Sequence, residues 1–324
     1  MNTQARPYIV GIDCGGTNTV VGIIDTRGKV VARTTVKTRD YAEFPDFIAA
    51  VADALRQAAA GVGGMQMIAG IGIGAPNANY YSGNIEYAPN LPWRGVLPLA
   101  EMLSEATGLP VAATNDANAA AIGEMTYGAA RGMRDFIMIT LGTGVGSGIV
   151  INGQLVYGHD GFAGELGHTR VPHGDRPCGC GRRGCLEAYC SATGVARTAR
   201  ELLARRTDDS LLRRLEPEAI TSKDVYDAAT QGDALAAEIF RLTGRIMGEA
   251  FADFAAFSAP EAFILFGGLT GAGDLLLVPI VEAMEENLLP IWRGKIRVIT
   301  SALESGDAAL LGAAALAWNE KGNQ

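Results

Sequence analysis

The chain has 324 residues, a formal net charge of −8 and a pI near 5.0, and 48% of its residues are hydrophobic. This length favours two α/β domains over a single core. The acidic balance disfavours nucleic acid as a partner, because binding to a phosphate backbone needs clustered Lys and Arg. The chain has no apolar run of about eighteen residues, so we expect no membrane span.

The first predicted strand, residues 8–13, ends in Asp13 and continues directly into Cys14-Gly15-Gly16-Thr17-Asn18. Two further strands, 20–25 and 30–36, follow and are joined by a glycine turn. A glycine-rich turn between strands can direct successive backbone N–H groups at one phosphate. An ordinary hairpin turn is the alternative interpretation.

The same pattern occurs again about half the chain later. A strand at 137–141 is followed by the loop Gly142-Thr143-Gly144, a second strand, a glycine turn and a third strand at 154–156. Such a repeat indicates an internal duplication. The sequence therefore predicts two similar α/β domains, each with a phosphate loop at the end of its first strand.

Between the two copies, the pattern predicts alternating helices and strands. In chain order these are a helix at 45–60, a strand at 67–76, a loop at 77–93, a helix at 97–107, a strand at 109–114 and a helix at 117–127. Asn90 and Trp93 in the loop suit a carbohydrate, but such residues are equally common in plain loops.

Asp116 follows the strand at 109–114 and has two interpretations. It could cap the next helix by accepting hydrogen bonds from free backbone amides. An aspartate at a strand end could instead accept the proton of a hydroxyl group whose oxygen attacks phosphorus. The spacing alone fits both.

A cluster of thiols follows the second repeat. Cys178, Cys180 and Cys185 lie within eight positions, separated by glycines, and His168 precedes Cys178 by ten residues. Three thiolates and one imidazole are a common closed shell for structural zinc. His173 is a rival ligand. A disulfide is the alternative, but the N-terminus does not resemble a signal peptide, so we expect a reducing, cytoplasmic compartment.

The last third of the chain is predicted to be mostly helical. In order we expect helices at 191–206, 222–230 and 234–257, a strand at 262–266, a helix ending at 287, a strand at 296–301 and a helix at 307–319. Gly267 and Gly268 follow the strand at 262–266. These glycines could allow a nucleotide to approach the backbone closely, or they could form a routine turn between strand and helix.

Several of these motifs, in this order, resemble the ROK family of sugar kinases, within the hexokinase and actin-like ATPase superfamily, and most closely its bacterial glucokinases. The matching motifs are Asp13-Cys14-Gly15-Gly16-Thr17, Gly72-Ile73-Gly74-Ala75-Pro76, Pro89-Asn90-Leu91, Asn115-Asp116-Ala117-Asn118, Leu141-Gly142-Thr143-Gly144, Gly164-Glu165-Leu166-Gly167-His168, Cys178-Gly179-Cys180-Gly181 through Cys185-Leu186-Glu187, and Gly267-Gly268.

The resemblance implies an enzyme that uses ATP and Mg²⁺ to phosphorylate glucose at the 6-hydroxyl. By this resemblance Asp116 is the general base. Hydroxyls of the sugar would be bound by Asn90, Asn115, Asp116, Glu165, His168 and Glu187. The resemblance places Mg²⁺ at Asp13, with the nucleotide contacting Asp13, Gly15, Gly16, Thr17, Asn18, Thr143, Gly144, Gly267 and Gly268. His168 would also bind the structural zinc, together with Cys178, Cys180 and Cys185.

The implied architecture is the two-domain actin-like ATPase (ribonuclease H-like) fold with duplicated phosphate-binding hairpins and a zinc loop. We expect a small α/β domain over residues 1–115, completed by a C-terminal helix at 306–324. A large α/β domain over 116–305 would carry the zinc loop. A homodimer is expected from the resemblance alone.

This chain departs from the family pattern at Asn77, where many members have glycine, and in the loop 77–84. The preferred hexose is therefore open among glucose, fructose, mannose, allose and N-acetylhexosamines. Cys14 replaces a usual aliphatic residue and is interpreted as a small core residue. The family also contains sugar-responsive repressors with a helix-turn-helix module. Because the first strand begins at Tyr8, we expect no such module here.

Overall fold

In the computed structural model of the protein, residues 6–303 and 307–322 are described. The strands are β1 (Tyr8–Cys14), β2 (Asn18–Asp25), β3 (Val30–Lys37), β4 (Ile68–Gly74), β5 (Ile85–Glu86), β6 (Val96–Leu97), β7 (Val111–Thr114), β8 (Phe136–Leu141), β9 (Val145–Ile151), β10 (Gln154–Leu155), β11 (Ala262–Phe266) and β12 (Arg297–Thr300). The α-helices are α1 (Phe44–Ala60), α2 (Leu99–Thr107), α3 (Asp116–Tyr127), α4 (Glu187–Cys190), α5 (Ala192–Arg205), α6 (Ser222–Thr230), α7 (Ala234–Ser258), α8 (Asp274–Asn287) and α9 (Ala308–Gly322).

The chain forms two compact units. The first comprises the described residues of 1–132, 155–164 and 302–324, and the second comprises 133–154 and 165–301. The sheet of the first unit has the order β3-β2-β1-β4-β7. Strands β1, β2 and β3 are antiparallel neighbours, whereas β4 and β7 run parallel to β1. Helix α1 buries Phe47, Val51 and Leu55 on the face that the helical periodicity predicted.

The second unit repeats this topology. Its sheet has the order β10-β9-β8-β11-β12, with β8 and β9 antiparallel and with β11 and β12 parallel to β8. Thus β8 occupies the position of β1, and the loop after each of these strands lies at the same corner of its own sheet. The predicted duplication is confirmed.

Helix α3 belongs to the first unit, so the division differs from the predicted boundary between residues 115 and 116. Glycines explain the placement, because they allow α9 to approach α3 closely. A Cβ on Gly312 would overlap with the Ala119 carbonyl oxygen, and one on Gly123 would lie 2.6 Å from the Ala308 oxygen. Residues 1–5, 304–306, 323 and 324 of the predicted domain ranges lie outside the described residues.

Residues 155–164 also belong to the first unit, although both of their chain neighbours lie in the second. The ring of Tyr157 stacks on that of Tyr80, with centroids 3.8 Å apart and planes inclined by 5°. The Asn79 amide nitrogen donates a 2.7 Å hydrogen bond to the Asp160 carbonyl. These contacts attach the segment to the loop at 77–84.

Asn77 and Trp93 show how this loop is built. Asn77 has a φ of +52°, a left-handed conformation that asparagine tolerates better than most residues, and its amide donates to the Glu86 carbonyl at 3.0 Å. Asparagine therefore keeps the backbone conformation for which glycine is the usual choice. Trp93 is only 7% exposed and packs against Phe44 and Phe47, so it is a core residue rather than a platform for carbohydrate.

Within the part of the chain that the structure describes, none of the helices is both long and apolar enough to cross a bilayer.

Candidate functional site

Two carboxylates of the first unit form an electrostatic pair. Asp13 lies near the end of β1, and Asp116 begins α3. Burial, and secondarily the negative charge of Asp116, raises the pKa of Asp13 to about 6. Two neighbouring carboxylates that are partly removed from water are suited to bind a cation, because the cation would offset their mutual repulsion.

Asp116 retains an exposed surface, yet the surrounding protein removes enough water that desolvation raises its pKa. Its Oδ1 atom accepts a 2.8 Å hydrogen bond from the Ala117 amide, which lowers the pKa but does not outweigh burial. A carboxylate whose pKa is raised is a stronger proton acceptor. Asp116 therefore has the properties of a general base.

The N-cap of α3 is Asn115, not Asp116. The side-chain oxygen of Asn115 accepts a 2.8 Å hydrogen bond from the Ala117 amide. This bond fixes the side chain and leaves its amide nitrogen as a donor. The helix begins one residue earlier than predicted, so Asp116 is its first residue and not its N-cap, although its carboxylate does accept from the free Ala117 amide.

The first glycine loop, residues 14–18, is a tight turn in which the Gly15 amide donates to the Asn18 carbonyl at 3.0 Å. Neither Gly15 nor Gly16 has a positive φ, so conformational freedom is not the reason for these glycines. Space is the reason at Gly16, since a Cβ there would overlap with the carbonyl oxygen of Asn90. The structure thus brings the predicted phosphate and sugar residues of this unit into contact.

The second glycine loop, residues 141–145, packs against Glu187. One carboxylate oxygen of Glu187 accepts a 3.1 Å hydrogen bond from the Val145 amide. A Cβ on Gly144 would overlap with that same oxygen. Glycine at 144 therefore allows a carboxylate to lie directly behind the loop, while Thr143 at the tip is exposed.

The predicted zinc ligands converge in the second unit. The ligand atoms of His168, Cys178, Cys180 and Cys185 all lie within 4.8 Å of one another. Tight turns bring them together. Gly181 and Gly184 have backbone φ values of +84° and +77°, which residues other than glycine rarely adopt.

The separations fit tetrahedral zinc. The Cys178 sulfur lies 3.8 Å from His168 Nδ1, and the sulfurs of Cys180 and Cys185 are 3.7 Å apart. A tetrahedron with Zn–S bonds of about 2.3 Å has edges of roughly 3.8 Å. A disulfide would need about 2.05 Å, and all five cysteines are free. The cluster includes His168 and not His173.

The sugar-binding candidates of the second unit surround this cluster. His168 directs Nδ1 at the thiols and Nε2 at Glu165, whose Oε2 atom is 3.9 Å away. The other carboxylate oxygen of Glu187 accepts from the Cys178 sulfur at 3.4 Å. Glu187 therefore contacts both a metal ligand and the second glycine loop. A bound metal would fix His168 directly and, through Nε2 of that ring, would help to orient Glu165.

Gly267 follows β11 and lies beside the end of β8. Its φ is +110°, and a Cβ would overlap with the Leu141 carbonyl. Gly268 opens a 3₁₀ turn, Gly268–Ala272, and has open space where its side chain would be. This open corner is compatible with a nucleotide.

Three supporting residues were not predicted. The hydroxyls of Thr38 and Thr193 bond carbonyls of the first and second glycine loops. Arg176 is buried between the thiol cluster and α5, where it pairs with Glu201 at 2.7 Å and lies over the Tyr189 ring. Single threonines and arginines outside a motif carry no recognisable signal in one sequence.

Comparisons with known proteins agree with this architecture. The ROK family matches residues 9–320. The glucokinase of Halalkalibacterium halodurans is 40% identical over 287 residues, which cover 87% of this chain and 87% of that protein. The N-acetylmannosamine kinase of Escherichia coli is 33% identical over 318 residues, which cover 96% of this chain and 99% of that protein.

Among solved structures, the crystal structure of a ROK family glucokinase from Streptomyces griseus in complex with glucose and AMPPNP superposes with a TM-score of 0.80. It is 36% identical, and the superposition covers 96% of this chain and 99% of that chain. This agreement confirms the predicted actin-like ATPase fold with its two related sheets. Because the family match includes both sheets, both glycine loops and the thiol cluster, this chain belongs to the ROK family.

Proposed function

We propose that this protein transfers the terminal phosphoryl group of ATP to the 6-hydroxyl of glucose and releases glucose 6-phosphate and ADP. The observation that carries the proposal is the pair Asp13, near the end of β1, and Asp116, at the start of α3, two carboxylates with raised pKa values of which Asp116 acts on Asp13. The likeness to glucokinases over most of the chain supports glucose as the acceptor.

In the first unit, Asp116 takes the proton of the 6-hydroxyl as its oxygen attacks the γ-phosphorus. Asn115 and Asn90 bind neighbouring hydroxyls, and the capping bond of Asn115 holds its amide in place. Asp13 would hold the Mg²⁺ that accompanies the nucleotide. Mg²⁺ supplies charge neutralisation on the phosphates. The amides of the first glycine loop, residues 14–18, bind phosphate oxygens.

In the second unit, Glu165, His168 and Glu187 bind hydroxyls at the anomeric end of the sugar. A carboxylate has about four acceptor positions, so Glu187 can accept from a hydroxyl in addition to the Val145 amide. Thr143 and Gly144 bind phosphate, and Gly267 and Gly268 lie at the adenosine. Zinc at the thiol cluster has a structural role. The homodimer stays a prediction.

The acceptor is tested by following ADP release across a panel of sugars with ATP and Mg²⁺. We expect glucose to give the highest kcat/KM among glucose, mannose, fructose, allose, N-acetylglucosamine and N-acetylmannosamine. Inorganic polyphosphate in place of ATP should give little transfer. A higher kcat/KM for another sugar would exclude the glucokinase assignment while keeping the reaction class.

Another hexose or an N-acetylhexosamine is the second candidate acceptor. The loop at 77–84 departs from the family pattern, and a relative at 33% identity is an N-acetylmannosamine kinase. The backbone at Asn77 nevertheless has the left-handed conformation that suits glycine, so the departure does not by itself reshape the loop.

The raised pKa of Asp13 predicts the pH dependence. We expect kcat/KM to fall as pH falls through about 6, because protonation neutralises the carboxylate that would hold the cation. The effect on stability has the opposite sign. A carboxyl with a folded pKa above its usual 3.8 destabilises the fold when ionised, and this cost disappears between about pH 6 and 3.8.

A pH profile of kcat/KM from 5 to 8, with Tm measured at each pH, checks both parts. Asp13→Asn should not lower the Tm at pH 7. An activity that stays constant down to pH 5, or an Asp13→Asn variant that is clearly less stable, would contradict the prediction.

A further inference from the structure

We propose that Thr38 and Thr193 are positioning residues that fix the peptide planes of the two glycine loops, so that the free amides of each loop face a nucleotide phosphate. The inference rests on the proposed function of these loops. Each threonine belongs to the same unit as the loop that it holds, so each unit provides an independent case.

In the first glycine loop, three successive carbonyls are held by the segment that follows β3. Thr38 donates its hydroxyl to the Gly15 carbonyl at 2.7 Å and its amide to the Thr17 carbonyl at 3.0 Å. Arg39 Nε donates to the Gly16 carbonyl at 3.3 Å. All three oxygens therefore point toward residues 38 and 39.

The direction of these carbonyls determines the direction of the amides. In a trans peptide the C=O of one residue and the N–H of the next point in opposite directions. The amides of Gly16, Thr17 and Asn18 consequently point away from Thr38. Successive N–H groups on one side of a turn form an anion-binding concavity.

The Thr38 hydroxyl has a defined orientation. A carbonyl only accepts, so the single hydroxyl proton of Thr38 is committed to Gly15. The Thr19 hydroxyl, 2.9 Å away, can then donate either to Thr38 or to the Cys14 sulfur at 3.6 Å. Both threonines are fully buried, so water cannot replace the bond to Gly15 if the hydroxyl is removed.

The second glycine loop is held in the same way by the start of α5. The Ala192 amide donates to the Gly142 carbonyl at 2.9 Å, and the Thr193 hydroxyl donates to the Thr143 carbonyl at 2.9 Å. The Ser191 hydroxyl lies 2.9 Å from that of Thr193 and accepts from the Gly194 amide at 3.0 Å. By the same reasoning, Ser191 donates to Thr193.

The amides of Thr143 and Gly144 therefore point away from α5, while the Val145 amide is already bonded to Glu187. A pair of neighbouring hydroxyls thus stands behind each glycine loop, Thr19 with Thr38 and Ser191 with Thr193. In both loops the hydroxyl fixes a peptide whose amide belongs to a glycine. The arrangement is a second feature, besides the sheet order, that the two units share.

Four variants test the proposal: Thr38→Val and Thr193→Val remove the hydroxyl, whereas Thr38→Ser and Thr193→Ser retain it. For Thr38→Val we expect the Kd and KM for ATP to rise roughly tenfold, because a lost buried hydrogen bond costs about that factor. For Thr193→Val we expect a rise of about threefold, because this hydroxyl is exposed and water can partly replace its bond. The Kd for glucose should change less than about twofold. The Ser variants should restore ATP binding.

Thr126→Val is the matched control, since its hydroxyl bonds only a carbonyl of its own helix, Ile122, at 2.8 Å. It should leave both affinities unchanged. Calorimetry with the nonhydrolysable ATP analogue AMPPNP, and separately with glucose, gives the two dissociation constants, and Tm reports folding.

Thr193 is exposed, so its valine variant should fold even if Thr38→Val does not. Unchanged ATP affinity in Thr193→Val, or equal losses for ATP and glucose, would overturn the inference and leave the proposed function intact. A wild-type protein that binds glucose but not the ATP analogue would overturn the proposed function and the inference with it.

Discussion

Replacing Asp116 by Asn should lower kcat by about three orders of magnitude, within the 10²–10⁴ range of a lost general base. Asparagine has nearly the same shape and can still accept the hydrogen bond from the Ala117 amide, but it cannot take a proton from a hydroxyl. The Kd for glucose should therefore stay within a few-fold of the wild-type value. Steady-state kinetics and glucose calorimetry provide the two measurements.

The same substitution should not destabilise the protein. Desolvation raises the pKa of Asp116, so its ionised form costs stability at pH 7, and a neutral amide removes that cost. We expect the Tm of Asp116→Asn to equal or exceed that of the wild type. A group whose charge is kept for chemistry at the expense of stability is typical of an active site.

Asp46→Asn is the matched control, because Asp46 is an exposed aspartate in the first turn of α1. The chemical change and the helical position are comparable, and kcat should be unaffected. If Asp116→Asn retained most of its turnover, or if Asp46→Asn lost a similar amount, Asp116 would not be the base.

Removing one thiol of the cluster should abolish tight zinc binding. We expect the purified protein to contain about one zinc per chain and the Cys178→Ser variant to contain almost none. The loss in affinity should exceed the 10–100-fold effect of losing a residue in the outer shell of a metal site. Elemental analysis measures zinc, and Tm should fall, because the metal crosslinks loops that have little other regular structure.

Zinc loss should also weaken sugar binding. His168 would bind the metal through Nδ1, so without the metal this side chain loses an anchor. Chelated protein should have a higher Kd for glucose by calorimetry. The effect is a loss of preorganisation rather than of a reacting group.

Cys190→Ala is the control, because the Cys190 thiol is buried elsewhere and contacts the Thr243 carbonyl. This variant should still contain one zinc. In addition, the denatured, metal-free wild type should show five titratable thiols, since all five cysteines are free. A titration of only three thiols would indicate a disulfide. A wild-type protein that is folded but contains no zinc would refute the assigned ligands.

Much of the fold could be predicted because its signals are local in the chain. Apolar runs that end in glycines gave β1, β8 and β11 to within one residue at each end, and helical periodicity gave α6 without error in its bounds. The repeated order of strand, glycine loop and strand predicted two related sheets. The close spacing of the three cysteines predicted that their thiols converge. The glycines between them allow the backbone to turn tightly within a few residues.

Other features could not be settled from the sequence, because a distant contact determines the outcome. The role of Trp93 was open between a carbohydrate contact and a plain loop residue, and packing against Phe44 and Phe47 places it in the core. Helix α3 was assigned to the second domain, yet its packing with α9, about 190 positions away in the sequence, places it in the first. The sequence does not show that Gly16 and Gly144 provide space for Asn90 and Glu187, because these neighbours lie far away in the chain.

The sequence by itself determined the family, the two related sheets and the three thiols of the cluster, because each depends on residue type and on spacing over a short distance. Only the tertiary structure decided which groups support that chemistry. Thr38, Thr193 and the capping role of Asn115 became visible there, since a hydrogen bond depends on direction and on a partner that can lie anywhere in the chain. The raised pKa of Asp116 is likewise a property of the folded state, because only folding removes its water.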